Sequence, residues 1–431
     1  MINRITSGRR ICTLLLLTLF SAEYATADNA LSANAEAQAR KEFTTETLYQ
    51  LWRDSLDDAQ SIPRFLKELP ARHRVDDLPD DSQHTLITYF HHGSADTDYV
   101  MLSGGPDFFG LRFKQLGDSG LYFCTQRVPK NAFFNYGINE FTRSAGGGRE
   151  PPHHDMQHVY DGAFIGPDAP LSKLPLAEPT GLTEEWEINS RHLGGSRKVS
   201  VYRPKSGSGE VTHNLIIQFD AENFLARPQA AEEWRGWTPM RSLIDSLQAS
   251  KRIGPTIVVF VWNQDRRDQD LTRDEMADFV ALELVPRLRK HYPISQDRHR
   301  LVASGPSRAG YAALNTAFRH PSIIGAAISQ SGSFYYTLQQ EENWPIYPAL
   351  EGVLPDKLKK AEIETLRVHL DVGLYDLGLG RVGLNRQLRD ILQLKGHKVS
   401  YLEYKGGHSH LNWRHTLEHG VLALLSDRDA P

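Results

Sequence analysis

Cysteine is almost missing from this 431-residue chain, which has two, Cys12 and Cys124. Cys12 stands in a leader-like N-terminus, at the start of the apolar core rather than behind it, where lipid attachment would need it. A processed chain keeps Cys124 alone and forms no internal disulfide, so stability has to come from a packed core. Long apolar runs are missing as well. The best candidate, residues 11–20, is too short to span a bilayer, so no membrane anchor is expected. A basic stripe is also absent. The formal net charge is −4, which disfavours nucleic acid as a partner.

What is present begins with that leader. Arg4, Arg9 and Arg10 form a basic segment, residues 11–20 an apolar one, and Ala25-Thr26-Ala27 a small-residue cleavage signal. This is the pattern of a secretory signal peptide over 1–27, and the expected location is a bacterial periplasm. Removing it takes away three arginines and Glu23, which leaves the chain two charges more acidic.

A chain of this length suggests two or three domains. Two are expected after the leader: 28–178, a smaller β-sandwich, and 179–431, an α/β domain. Residues 28–40 are Ala- and Asn-rich and read as flexible. Leu48, Leu51, Trp52 and Leu56 predict a helix over 46–69, interrupted by Pro63. An acidic linker is expected at 76–81. Short strand-like runs follow at 85–90, 99–103, 111–116 and 120–128, separated by turn residues, as in a sandwich. Phe108, Phe109, Tyr122, Phe123, Phe133, Phe134 and Tyr136 supply its core, with one or two free to line a cleft. The Pro- and Gly-rich stretch 146–179 reads as a connector. It holds His153, His154 and His158, but Pro151-Pro152 put these in a loop and no fourth ligand follows at regular spacing. They read as surface histidines, and no metal site is expected.

From 179 onward strands alternate with helices. The strand-like runs are 198–202, 215–219, 256–262, 299–303, 325–329, 368–372 and 399–403. Helical patterns cover 274–291, where Pro286 should kink the helix, and also 382–395 and 413–425. This alternation implies a parallel sheet flanked by helices, with ligands outside the carboxyl ends of its strands.

Residues with chemistry fall at those ends. Leu301-Val302-Ala303-Ser304-Gly305-Pro306-Ser307-Arg308-Ala309-Gly310 runs from an apolar strand through a serine into a helix. This is the outline of a nucleophile elbow, in which small residues must stand two before and two after the serine. Gly305 meets that demand fully and Ala309 less so. Asp376 follows the strand 368–372, with Asp371 as its competitor. His408 follows the next strand, in Gly406-Gly407-His408, with His410 as the alternative base; His415 and His419 read as surface residues. The order Ser307, Asp376, His408 is that of α/β-hydrolases. A hydroxyl needs an imidazole to take its proton, and the imidazole needs a carboxylate to fix its tautomer. Two backbone N–H groups would complete an oxyanion hole. One is expected from Arg308 and the other from Ala221, or its neighbour Glu222, after the strand 215–219.

These residues resemble the enterochelin (enterobactin) esterase family. Residues 325–336, Gly-Ala-Ala-Ile-Ser-Gln-Ser-Gly-Ser-Phe-Tyr-Tyr, are similar to the family's S-Q-S-G-S segment and the aromatics after it. Gly373-Leu374-Tyr375-Asp376 resembles its G-x-x-E, and Gly406-Gly407-His408 with Asn412-Trp413-Arg414 its G-G-H…C-W-R. Phe219-Asp220-Ala221-Glu222 resembles its L-D-G-E turn. Residues 265–279, with Arg267 and Leu271, resemble its R-x-x-E-L-x-x-N-x-x-F segment, with Asp270 and Asp274 in place of Glu and Asn and Phe279 two positions beyond the segment's Phe. The N-terminal half is similar to the family's sandwich domain through Trp52, Thr88-Tyr89-Phe90 and the Pro-rich connector. The chain departs from the family elbow, G-x-S-x-G-G, at Pro306, Arg308 and Ala309.

The resemblance implies a serine esterase that opens the trilactone of a tricatecholate siderophore. Ser307 would be nucleophile, His408 base and Asp376 the orienting acid. Arg267, Arg308 and Arg414 would be contacts for the anionic ligand. No metal or organic cofactor is implied, because iron would arrive with the substrate. Two alternatives remain at this stage: an esterase of the same fold acting on another ester, such as an acylated polysaccharide, or a non-catalytic siderophore- or glycan-binding protein.

Overall fold

The computed structural model describes residues 33–107, 110–143, 162–204, 211–225, 236–336 and 352–426. The leader, Phe108, Phe109, His153, His154 and His158 lie outside the described residues. The chain divides into two compact units, up to Asp57 and from Asp58 onward.

In the first unit, residues 28–40 are not all irregular, since a helix spans Ala33–Glu42. A second helix, Glu46–Asp57, buries Leu48, Tyr49 and Leu51. The Thr45 hydroxyl accepts from the Leu48 N–H at 3.2 Å and so meets one of the donors that a helix start leaves unsatisfied.

The second unit opens with the helix Ser61–Glu68. The single helix expected over 46–69 is therefore two, and Pro63 sits in the first turn of the second, where its missing N–H costs no bond. Two four-stranded sheets follow. One has the order β1 (His73–Asp77), β2 (His84–His92), β6 (Leu121–Pro129), β5 (Lys114–Gln115). The other has the order β4 (Leu111–Arg112), β3 (Thr97–Gly104), β7 (Phe133–Thr142), β8 (Gly162–Ile165). Ile87, Tyr89, Cys124 and Val128 of the first meet Val100, Leu102, Phe134, Tyr136 and Phe164 of the second in one apolar cluster, as a sandwich requires. Cys124 is buried there, and burial pushes its thiol pKa up to about 12. Part of the expected acidic linker is in fact the edge strand β1, paired with β2. Strands β7 and β8 had no counterpart among the expected runs.

An eight-stranded sheet follows. Its strands are β9 (Leu182–Ser190), β10 (Gly195–Arg203), β11 (Asn214–Phe219), β12 (Thr256–Val261), β13 (Leu301–Pro306), β14 (Ala326–Gln330), β15 (Arg367–Gly373) and β16 (Lys398–Tyr404), in the order β16-β15-β14-β13-β11-β12-β10-β9. Six strands, β11 to β16, are parallel, while β10 pairs antiparallel with β12 and with β9. The sheet is thus mixed at one edge rather than wholly parallel. Leu215, Ile217 and Phe219 enter the core on one face and Ile216 the core on the other. Each such side chain contributes about 1.5–3 kcal/mol when fully buried.

The helix adjusts just ahead of Pro286. The ladder widens to π geometry over Phe279–Leu284, and the Val285 N–H reaches back to Val280 O, which carries the chain past a residue that cannot donate. Strand order reverses at β11, because the chain places β12 on one side of it and β13 on the other. The carboxyl ends of β11 and β13 therefore flank a natural crevice. No helix among the described residues is long and apolar enough to cross a membrane.

Candidate active site

Ser307 stands between β13 and the helix Arg308–Arg319, with φ 57° and ψ −123°. A side chain held in such a region costs about 1–3 kcal/mol. The turn is held by the Ser307 N–H, which donates to Gln330 O at 2.8 Å. A Cβ on Gly305 would lie 2.5 Å from Ala309 Cβ, and one on Gly310 would lie 2.5 Å from Ser329 Oγ. The chain thus tolerates the Ala309 methyl because Gly305 has none, and the helix crosses β14 at Gly310.

His408 and Asp376 reach the same point from β16 and β15. A Cβ on Gly373 would stand 2.3 Å from Gly406 O, so glycine is needed where the two loops cross. Tyr375 N donates to Gly406 O at 2.9 Å and ties them together. His408 Nε2 then lies 3.0 Å from Ser307 Oγ, and His408 Nδ1 lies 2.8 Å from Asp376 Oδ1. With Nδ1 facing a carboxylate, that nitrogen carries the proton and Nε2 is the acceptor. Burial lowers the His408 pKa; the Asp376 charge opposes this, and the Arg381 charge adds to it. Burial works against ionised Asp376, but the His408 and Arg381 charges hold its pKa below the ordinary carboxylate value. Asp371 is buried on β15 with its own neighbour, His369 Nε2, at 3.6 Å, and is not the carboxylate at His408.

The His408 loop is also braced by the sandwich. Phe133, the first residue of β7, donates its N–H to Lys405 O at 2.9 Å. Asn412 Nδ2 donates to Phe133 O at 2.7 Å, while Asn412 Oδ1 accepts from the Gly407 N–H at 3.0 Å. Ser409 Oγ donates to Asn135 Oδ1 on the same strand.

One expected oxyanion donor fails. The Ala221 N–H is already bonded to Val261 O at 3.1 Å, and Ala221 is fully buried. The turn after β11 rises through Asp220, at φ 61°, and Ala221 caps β12 before the chain opens the short helix Glu222–Leu225. Of the pair expected there, only Glu222 stays in contention. Arg308 is the first residue of its helix, so its N–H is among the donors that a helix cannot satisfy internally.

The Esterase family model ("Putative esterase") matches residues 190–424, a stretch that includes Ser307, Asp376 and His408. The chain belongs to that family. It is 27% identical over 287 residues to an iron(III) enterobactin esterase of Dickeya dadantii, covering 65% of this chain and 60% of the relative. It is 28% identical over 268 residues to the iron(III) enterobactin esterase of Escherichia coli K12, covering 60% of this chain and 61% of the relative. The chain thus spans about 60% of the length of these curated relatives. In structure it is similar to the ferric enterobactin esterase of Salmonella typhimurium, with a TM-score of 0.68 at 19% identity, over 84% of this chain and 98% of that one. At that identity the likeness speaks to the fold.

Within this esterase fold, three arginine–aspartate pairs gather near Ser307. Arg267 holds both oxygens of Asp220, at 2.8 and 2.7 Å. Arg381 Nε lies 3.0 Å from Asp376 Oδ1, both side chains being buried. Arg308 pairs with Asp268, whose side chain is 71% exposed. Burial, and then repulsion from Arg267 and Arg381, hold the Arg308 pKa below its ordinary value. Arg267, expected as a ligand contact, thus has two nitrogens committed to the turn after β11.

Arg414 is committed elsewhere. Its Nη2 donates to Trp237 O at 3.1 Å, its guanidinium lies 5.5 Å from the Trp237 ring centroid, and both residues line a separate cavity of about 310 Å³. His410 is buried with Nδ1 2.9 Å from Thr238 Oγ1, and burial brings its pKa down to about 3; Ser307 faces His408 instead. His415 is not a free surface residue either, because its Nδ1 accepts from the Ser172 N–H at 3.2 Å. His419 is exposed, as expected.

Periodicity and spacing gave no signal for Arg381 or Ser333. Ser333 lies in the Ser-Gln-Ser-Gly-Ser segment already noted for its resemblance, which was the available clue. Among the described residues no group of three or more His, Cys, Asp or Glu is placed to hold a metal ion.

Proposed function

We propose that the chain is a serine carboxylic-ester hydrolase that opens the trilactone of a tricatecholate siderophore such as enterobactin, in its ferric or iron-free form. Ser307 Oγ attacks an ester carbonyl carbon while His408 Nε2 takes the hydroxyl proton. The Arg308 and Glu222 N–H groups receive the developing oxyanion. The ester C–O bond then breaks, and His408 returns the proton to the leaving alcohol oxygen. Water repeats the sequence on the acyl-enzyme and regenerates Ser307. Asp376 keeps His408 in the tautomer this needs.

The observation that carries the chemistry is the run Ser307 Oγ, His408 Nε2, Nδ1 and Asp376 Oδ1, with separations of 3.0 and 2.8 Å across the two contacts. Support for the substrate comes from the names of the relatives and from the charge beside the nucleophile. Asp268 is the one exposed acid of the three pairs, so a catecholate anion can take its place on Arg308 without baring a buried charge. Arg267 adds its field from the side. Iron is cargo in this reading, and the residues need no cofactor. Export to the periplasm is part of the proposal and rests on the leader pattern at 1–27.

The test is a product assay. Ferric and iron-free cyclic trilactone are incubated with the mature protein and with Ser307→Ala, and linear trimer, dimer and monomer are followed by chromatography with mass detection. Cleavage by the native protein alone is expected. If the trilactone stays intact while a fluorophosphonate still labels Ser307, the siderophore is wrong and the esterase stands. Neither cleavage nor label would remove the enzyme reading.

A further inference from the structure

The triad is only part of a closed circuit. Ser307 Oγ meets His408 Nε2 at 3.0 Å, His408 Nδ1 meets Asp376 Oδ1 at 2.8 Å, and Asp376 Oδ1 meets Arg381 Nε at 3.0 Å. From there Arg381 Nη1 donates to Ser333 Oγ at 3.0 Å, and Ser333 Oγ lies 3.3 Å from Ser307 Oγ, where the circuit began. Arg381 also donates from Nη1 to Ser331 O at 2.9 Å and from Nη2 to Tyr335 OH at 3.0 Å. It is among the largest fully buried side chains of the protein.

Proton counting gives this circuit a direction. A guanidinium has only donors, so Ser333 Oγ is the acceptor toward Arg381. His408 Nε2 is an acceptor, so the Ser307 proton points at it. The Ser333 proton is then free to point at Ser307 Oγ, the one remaining acceptor in the circuit. We propose that Ser333 is a further catalytic residue, donating its O–H to Ser307 Oγ, and that Arg381 is the positioning residue that holds Ser333 by a hydrogen bond from Nη1 and Asp376 by the buried charge beside it. The donated hydrogen bond strengthens as Ser307 loses its proton and negative charge grows on Oγ, so it favours the attacking form over the resting one. Ser333 keeps its own proton throughout. The backbone is arranged for the same contact, because the Ser333 N–H donates to Ser307 O at 3.1 Å and Ser333 is 1% exposed.

The inference rests on the serine-esterase reading, and two readouts separate them. Native protein, Ser333→Ala, Arg381→Lys and Arg381→Met are compared for hydrolysis of a small neutral p-nitrophenyl ester and for the rate of labelling by a fluorophosphonate. Thermal melting checks that each variant is folded. Ser333→Ala removes one oxygen atom and should stay folded. Its kcat and its labelling rate should fall together by about 10- to 100-fold, as expected for a lost hydrogen bond to a charged atom, with KM unchanged. Arg381→Lys keeps the charge and should recover part of what Arg381→Met loses. Arg381→Met should also move the acid limb of kcat/KM, which a merely structural loss would leave in place. A Ser333→Ala protein that reacts within twofold of native at both readouts overturns the proposal while leaving the esterase intact. A native protein that neither hydrolyses the ester nor takes the label removes both.

Discussion

Arg267 Nε and Nη2 close on the two carboxylate oxygens of Asp220 across 47 residues of chain. Asp220 is 2% exposed and holds a left-handed φ of 61° at the turn where β11 ends beside Ser307. Asn263 Nδ2 donates to the same carboxylate at 2.9 Å. The pair therefore braces the turn that carries Glu222, the proposed second oxyanion donor. An arginine that the sequence suggested for the ligand serves first as a clamp on the protein.

Removing the clamp should therefore act on turnover. Arg267→Met is expected to lower kcat on a neutral ester by about 10- to 100-fold, the cost of a misplaced reacting group. Steady-state kinetics on p-nitrophenyl butyrate checks this. A change confined to KM would return Arg267 to the role of ligand contact.

Arg308 and Asp268 should govern the charge of the preferred ester. Arg308→Met is expected to raise KM for an anionic aryl ester by about tenfold, one surface-type ion contact with some desolvation, and to leave a neutral ester of the same shape unaffected. Asp268→Asn should lower KM for the anionic ester, because the competing carboxylate is gone. Equal changes for both esters would show that the pair shapes the pocket without reading charge.

The pH profile follows from His408. Its neutral form is the proposed base, and its pKa is held below the ordinary imidazole value of 6.5. Activity should accordingly persist as pH falls through 6.5 and fail only below it, so the acid limb of kcat/KM lies under that value. Asp376→Asn removes the charge that supports protonated His408, so the limb should move lower still while kcat drops by about 10³- to 10⁴-fold, as when a triad loses its tautomer control. A profile of kcat/KM from pH 4 to 9, in buffers of constant ionic strength, tests both.

Gly305→Ala should destabilise the elbow. The new Cβ would sit 2.5 Å from Ala309 Cβ and 2.8 Å from the Ala309 backbone carbon and oxygen. Since the backbone cannot yield there cheaply, a loss of about 1–3 kcal/mol is expected. Urea unfolding measures it, and the double variant with Ala309→Gly should regain part of the loss. No regain would mean that the strain lies elsewhere in the turn.

Much of this site was legible because its signals are local. An apolar run ending in Gly305-Pro306-Ser307 forces a tight strand-to-helix turn. A carboxylate and a histidine each follow one strand at the carboxyl end of a parallel sheet, so chain order alone brings Asp376 and His408 to the same edge as Ser307. Residues 215–219 read as a strand, and the continuous β-branched run in 256–262 predicts a strand buried on both faces. The partners of these residues were hidden, because an ion pair leaves no periodic trace. Arg381 drew no reading from the sequence, yet the fold buries it against Asp376 and Ser333. Ala221 has the expected place in the chain, but its N–H is consumed by Val261 O, a neighbour that strand pairing brings and sequence spacing does not reveal. Strand β7 was overlooked because its aromatics read as core or cleft lining, whereas Phe133 and Asn135 also reach across to the His408 loop.

Composition and order along the chain were enough for the α/β class, the sandwich before it and the three residues Ser307, Asp376 and His408, since each depends on contacts within a few residues or on the fixed rules of parallel sheets. Which donors remain free, which arginines are spent on aspartates and how Ser333 comes to face Ser307 were set by long-range packing. Those facts depend on where a hydrogen-bonding group finds its partner, and partners separated by tens of residues meet only when the sheet has closed and water has been expelled from between them.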